Sequence, residues 1–180
     1  MAVVAVVISG LTFWNSYQER SSAEAERVAE KKEKSAKAQT LMLKASGGRS
    51  SLDLAPLDTQ QAIQSQTIHF PSALGLSAID TVDPRIEAQW IEEAAKKARK
   101  GGSPSEGSGD SRLPIAITTR FVSGGETYSD SAIYDVGYRL DSGILDTDAE
   151  LLGLSLVQRS RADRLQARLD ALWQARRRTR

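Results

Sequence analysis

The sequence predicts an α+β chain. An N-terminal transmembrane helix and a helical stalk lead into a small antiparallel sheet, with a helix packed on one face and a basic C-terminal helix. Three observations predict it. The first residues are almost wholly apolar and pass directly into a charge-dense stretch. Two Ser-Gly-Gly turns are each flanked by segments that alternate apolar and polar residues. Two later segments carry apolar residues at helical spacing. The implied organisation is an anchor over 1–17, a charged helical stalk over 18–39, an α+β domain over 40–160 with a flexible loop at 101–112, and a basic helix over 161–180.

The anchor reading rests on Val3, Val4, Val6, Val7, Ile8, Leu11, Phe13 and Trp14, interrupted only by Ser9, Gly10 and Thr12. Residues 1–17 are short for a span, which needs ~17–25 residues, and the reading allows that part of the anchor precedes Met1. Trp14 and Tyr17 stand where aromatic rings favour the membrane–water boundary. No Lys or Arg precedes the run, which argues against a cleaved signal peptide. Arg20, Arg27, Lys31, Lys32, Lys34 and Lys37 follow it, so the positive-inside rule puts the domain in the cytoplasm. The expected localisation is therefore a single-pass membrane protein.

The stalk has no Gly or Pro from Asn15 to Gln39 and carries Glu30→Lys34 and Glu33→Lys37 pairs in the favourable i,i+4 order. Tyr17, Ala25 and Val28 begin a seam that Lys32 interrupts, so a sustained coiled-coil repeat is absent. The stalk still offers a surface to a protein partner or a second copy.

Within the domain, Gly47-Gly48 is read as a two-residue hairpin loop, which sets Leu43 opposite Leu52 and Leu41 opposite Leu54. Gly124-Gly125 is read the same way. It sets Phe121 against Tyr128, Thr119 against Asp130, Ile117 against Ala132, Ile115 against Tyr134 and Leu113 against Val136. A one-residue slip would destroy that match. Gln64 to Phe70 reads as a strand ended by Pro71. Leu152, Leu154 and Leu156 alternate as a last strand, with a helix from Thr147 as the competitor.

A helix is expected over 84–99. Asp83 is the N-cap and Pro84 the first helical residue, with Lys96, Lys97, Arg99 and Lys100 near the end before Gly101-Gly102. Its apolar face is Ile86, Trp90, Ile91, Ala94 and Ala98. The last helix, over about 161–177, has Ala162, Leu165, Leu169, Leu172 and Trp173 as its stripe and a capping box from Ser160 and Asp163.

The chain has no Cys, which excludes disulfides, thiolate zinc sites and a cysteine nucleophile. Its single histidine, His69, lacks partners for the commonest catalytic or metal sites. Asp141, Asp146, Asp148 and Glu150 are close together but miss the calcium-loop pattern. No phosphate-binding Gly-rich loop or nucleophile elbow is present. No cofactor and no metal are expected.

Net charge is +1, but it is unevenly spread. Residues 106–150 carry nine acids and three bases, whereas residues 159–180 carry eight Arg and two Asp. Arg164, Arg168, Arg176, Arg177, Arg178 and Arg180 are the candidate binding residues. They suit an anionic membrane surface, or the acidic 126–150 hairpin of this chain or of a partner. Nucleic acid is not favoured, because no aromatic stacking platform accompanies the arginines. The function expected is a membrane-anchored interaction or accessory protein without catalytic activity. The rival is a hydrolase or small-ligand-binding domain with its site on the hairpin loops.

Overall fold

The computed structural model describes residues 36, 38–100, 110–142 and 147–178. The chain divides into two compact units, Met1–Thr40 and Leu41–Arg180. In the first, residues 36, 38 and 39 are helical, and Thr40 Oγ1 donates to the Ala36 carbonyl at 2.8 Å.

The second unit is dominated by strands. A three-stranded antiparallel sheet has the order β1 (Leu43–Gly48), β2 (Ser51–Pro56), β5 (Arg85–Glu87). A five-stranded antiparallel sheet has the order β4 (Ile79–Thr81), β3 (Gln61–His69), β6 (Ser111–Ser123), β7 (Glu126–Ser142), β8 (Thr147–Arg159). The helices are α1 (Ala88–Lys100) and α2 (Leu165–Arg178), with short 3₁₀ turns at Ser72–Leu74 and Ala162–Arg164. The expected fold class is therefore corrected. Among the described residues strand predominates, in eight strands and two sheets, and the helices are accessory.

The β6–β7 hairpin has the register that its apolar pairing requires. Leu113 faces Val136, Ile115 faces Tyr134, Ile117 faces Ala132 and Phe121 faces Tyr128. Gly124 (φ 59°) and Gly125 (φ 85°) make the turn, and both angles lie in the region that disfavours a side chain. Phe121 and Tyr128 stack with ring centroids 5.9 Å apart.

Both faces of this hairpin are buried. On one face Leu113, Ile115, Ile117, Tyr134, Val136 and Tyr138 meet Leu52, Leu54 and Ile86 of the small sheet and Ile91, Ala94, Ala95 and Ala98 of α1. On the other, Ala116 and Ile133 meet Leu165 and Leu169 of α2, with Leu172 alongside. The expected helix on one face is thus joined by a second layer, the C-terminal helix on the opposite face. Strand side chains alternate in direction, so Ala116 and Ile133 need a cover of their own.

Three local expectations also change. The first hairpin turns at Arg49-Ser50, not at Gly47-Gly48. Gly48 pairs with Ser51 and Ala45 with Leu54. Gly47 still needs its freedom, since at φ 93° a Cβ would stand 3.0 Å from the Ser51 carbonyl oxygen. The longer hairpin reaches β8, where Arg49 and Leu151 exchange N–H···O bonds of 3.1 and 2.9 Å and tie the two sheets together.

The helix expected from residue 84 begins at Ala88. The edge of β2 takes Arg85–Glu87 as a strand, with Ile86 opposite Leu52, and Leu54 N–H donates to the Pro84 carbonyl at 2.6 Å. Tertiary pairing overrides the Asp83-Pro84 start signal. Finally, Ser111 and Arg112, expected within the 101–112 loop, belong to β6. Residues 101–109 lie outside the described residues.

The membrane reading is corrected too. Among the described residues no helix is long and apolar enough to cross a membrane. α1 has 13 residues and α2 has 14, and each exposes a charged side, whereas a span needs ~20 apolar residues. The single-pass topology, the membrane localisation and the cytoplasmic orientation drawn from them are withdrawn. Val3, Val6, Val7, Ile8, Leu11, Phe13 and Trp14, on which they rested, lie outside the described residues.

Ile117 is 1% exposed at the centre of the main core. Ile117→Asp should bury an unpaired carboxylate and cost several kcal/mol. Urea denaturation of the full chain checks this, and an unchanged midpoint would contradict the register.

Candidate functional site

The arginines of residues 159–180 do not form one surface. β8 ends at Arg159, a turn follows, and α2 then folds back over β6 and β7. Ser160 N–H donates to the Ser131 carbonyl at 3.0 Å and fixes the turn against β7. The expected capping box is absent, because no side chain caps the 3₁₀ turn that starts after Arg161. The hydroxyl of Ser160 donates instead to the Arg161 carbonyl at 3.2 Å.

This path creates an open cavity of about 380 Å³. Arg159, Arg161, Arg164 and Arg168 line it, with Ser131, Ser160 and a single carboxylate, Asp130. One of the guanidinium groups is committed and a second is loosely paired. Arg159 Nη1 donates to Asp130 Oδ1 at 2.5 Å, and Arg161 lies 3.7 Å from Asp163. Arg164 and Arg168 are exposed and have no ion-pair partner among the described residues. They sit one helical turn apart, where like charges repel.

Asp130 and Arg159 also hold the start of the second unit. Leu41 is fully buried, its carbonyl accepts from Arg159 Nη2, and its N–H bonds to Asp130. Burial pushes the Asp130 carboxyl above its ordinary value, against the opposing pull of Arg159 and of the Leu41 N–H. Next to it the Tyr134 hydroxyl is pushed up to about 12, by burial first and by the Asp130 charge second, with Arg159 acting the other way.

Arg176 has a different task. Its guanidinium makes two bonds to Asp135, Nη1 to Oδ1 at 2.6 Å and Nη2 to Oδ2 at 2.9 Å. Asp135 is 5% exposed. The pair clamps the C-terminal half of α2 onto β7, within the acidic hairpin. Arg177 and Arg178 are exposed at the helix end, and Arg180 lies outside the described residues. Of the sequence candidates, then, Arg164 and Arg168 share the cleft and Arg176 does not.

Asp130, Ser131 and Ser160 were not singled out from sequence as lining one site. The signal that finds them is the β7–β8 register, with Arg159 opposite Ala132. That register is hard to read, because it shifts between Ile133 and Tyr134 and again between Gly137 and Tyr138.

The other candidates stay apart from this cleft. His69 is half-buried in β3 opposite Ala116. Asp141 pairs with Asp148 across β7 and β8, Asp146 is outside the described residues, and no described group of acids and His could hold a metal. A second cavity of about 320 Å³ lies between Trp90 and Lys97 of α1 and the 75–79 segment. Neither cavity is lined by the Gly124-Gly125 or Arg49-Ser50 turn.

No family model, curated protein or solved structure matches the chain.

Two outcomes are expected. Arg176→Gln leaves the Asp135 carboxylate buried without its partner. It should cost on the order of 2 kcal/mol, below the ~3–5 kcal/mol of a fully buried pair because Arg176 is itself half-exposed. Arg178→Gln should stay within about 0.5 kcal/mol. Urea melts of the two variants check the contrast. In alkaline titration, a hydroxyl whose folded pKa is raised from 10.0 to about 12 favours the fold fully below pH 10, and that contribution is lost as the pH rises through 12. Tyrosinate absorbance should show a late phase near pH 12 that Tyr134→Phe removes.

Proposed function

We propose that this chain is a non-catalytic interaction module that holds an anionic partner in the cleft between the end of β8 and the start of α2. One observation carries the reading. Arg164 and Arg168 line an open cavity one turn apart, have no ion-pair partner among the described residues, and share the cavity with one carboxylate, Asp130, that is bonded to Arg159. A like-charged pair of this kind is unfavourable in the free protein and is relieved when an anion binds.

The donor set also favours binding over catalysis. A guanidinium stays protonated at neutral pH, so it orients and neutralises an anion but does not exchange protons with it. The Ser131 hydroxyl is bonded to Thr118 at 3.1 Å rather than to a base. The rival reading, a hydrolase or ligand-binding domain on the hairpin loops, draws no support from either described cavity. The anionic-lipid role of the basic helix depended on the withdrawn orientation and is not carried further.

The test uses a fluorescent poly-glutamate peptide and the full chain. Arg164→Gln combined with Arg168→Gln should weaken binding severalfold. Arg112→Gln combined with Arg120→Gln removes the same charge from exposed positions on β6 and should leave binding near wild type. Equal weakening by both pairs would mean that the peptide follows net charge and that the cleft is not the site.

A further inference from the structure

We propose that the group the cleft takes is a phosphomonoester dianion, free or carried on a peptide. This rests on the reading of the cleft as the binding site and adds the chemistry of the ligand.

A carboxylate is planar, carries one negative charge and is saturated by a single guanidinium fork. In the cleft Arg159 already gives Nη1 to Asp130 and Nη2 to the Leu41 carbonyl, so that guanidinium and that carboxylate are both engaged. What remains is larger. Arg164 and Arg168 are uncommitted, and Arg161 is held only by a 3.7 Å contact with exposed Asp163. Three guanidinium groups from three successive turns of chain line one cavity. That set fits a tetrahedral group with three terminal oxygens and a charge near −2.

The backbone adds to the match. Residues 159–161 lead into the 3₁₀ turn Ala162–Arg164 and then into α2, so the cavity lies at the positive end of a 14-residue helix. A cavity of about 380 Å³ sits at the small end of ligand sites, enough for a phosphoryl group and the atoms next to it. The two hydroxyls in the wall are engaged, Ser131 with Thr118 and Ser160 with Arg161, so arginine supplies the recognition. No aromatic side chain lines the cavity, and a nucleobase would find no stacking partner there.

Calorimetry on the full chain separates the alternatives. Phenyl phosphate and benzoate share a ring and differ in the anion. Phenyl phosphate should bind, and benzoate should bind at least tenfold more weakly. Arg164→Gln with Arg168→Gln should weaken phenyl phosphate at least tenfold while the melting temperature stays unchanged. A short peptide with one phosphoserine is then compared with phenyl phosphate. Tighter binding of the peptide assigns a peptide-borne group, and equal binding assigns the phosphoryl group alone. Both support the proposal.

Benzoate binding as tightly as phenyl phosphate would overturn it in favour of a carboxylate. Phenyl phosphate failing to bind, while poly-glutamate still binds through Arg164 and Arg168, would overturn it and leave the anion-binding reading standing. Loss of poly-glutamate binding as well would remove both.

Discussion

β6 and β7 pair along the whole of β6 in one register, and each presents apolar side chains in both directions. That is the constraint the other elements obey. A strand pair with two apolar faces must be covered twice. The small sheet and α1 cover one face, and α2 covers the other. α2 has to return across the sheet from the end of β8, and that return brings the turn at 160–164 against the first part of β7. The cleft is a by-product of covering Ala116 and Ile133.

The charges follow the same geometry. Residues 159–180 contain eight arginines, which would repel each other on a free helix. The fold separates them by task. Arg159 meets Asp130 at the start of the segment and Arg176 meets Asp135 near its end, and both carboxylates come from β7. Between these two fixed points the helix cannot slide along the strand. Arg164 and Arg168 are therefore held at the cavity by contacts they do not make themselves. The nearly neutral net charge conceals this division, because the acids that balance the two arginines lie 29 and 41 residues earlier in the chain.

Much of the β-structure could be read from the sequence wherever side-chain pairing and turn chemistry agreed. The 113–136 hairpin is such a place, since its Gly-Gly turn and its apolar matches select one register. At 43–54 they did not agree. Gly47 and Gly48 carry the conformational freedom of a turn, but the chain uses it to bend a strand and turns two residues later. The gain is the backbone bridge from Arg49 to Leu151, a long-range contact that no local pattern announces. At 83–87 a sound helix start lost to the open edge of β2. The second face of the sheet was also missed, because Ala116 is small and Ile133 stands alone between Ala132 and Tyr134. Arg164 and Arg168 could be named from sequence as basic residues on one helix. Their cleft could not, because its other wall depends on a β7–β8 register broken by two irregularities.

Those irregularities have a consequence at the rim of the molecule. β8 is the last strand of its sheet and carries Leu152, Leu156 and Val157 with more than a third of their surface exposed. A long flat border strand with such side chains invites another strand to zip onto it. Here the extra residues fall at Leu152 and Val157, where one residue of β8 is left over against β7. Each bulge tilts the backbone and breaks the even spacing of donors and acceptors. The bridge to Arg49 occupies the border at Leu151 as well. An incoming strand would find only short, mutually misaligned stretches to pair with. β8 can keep an oily outer rim and still resist growing into a filament.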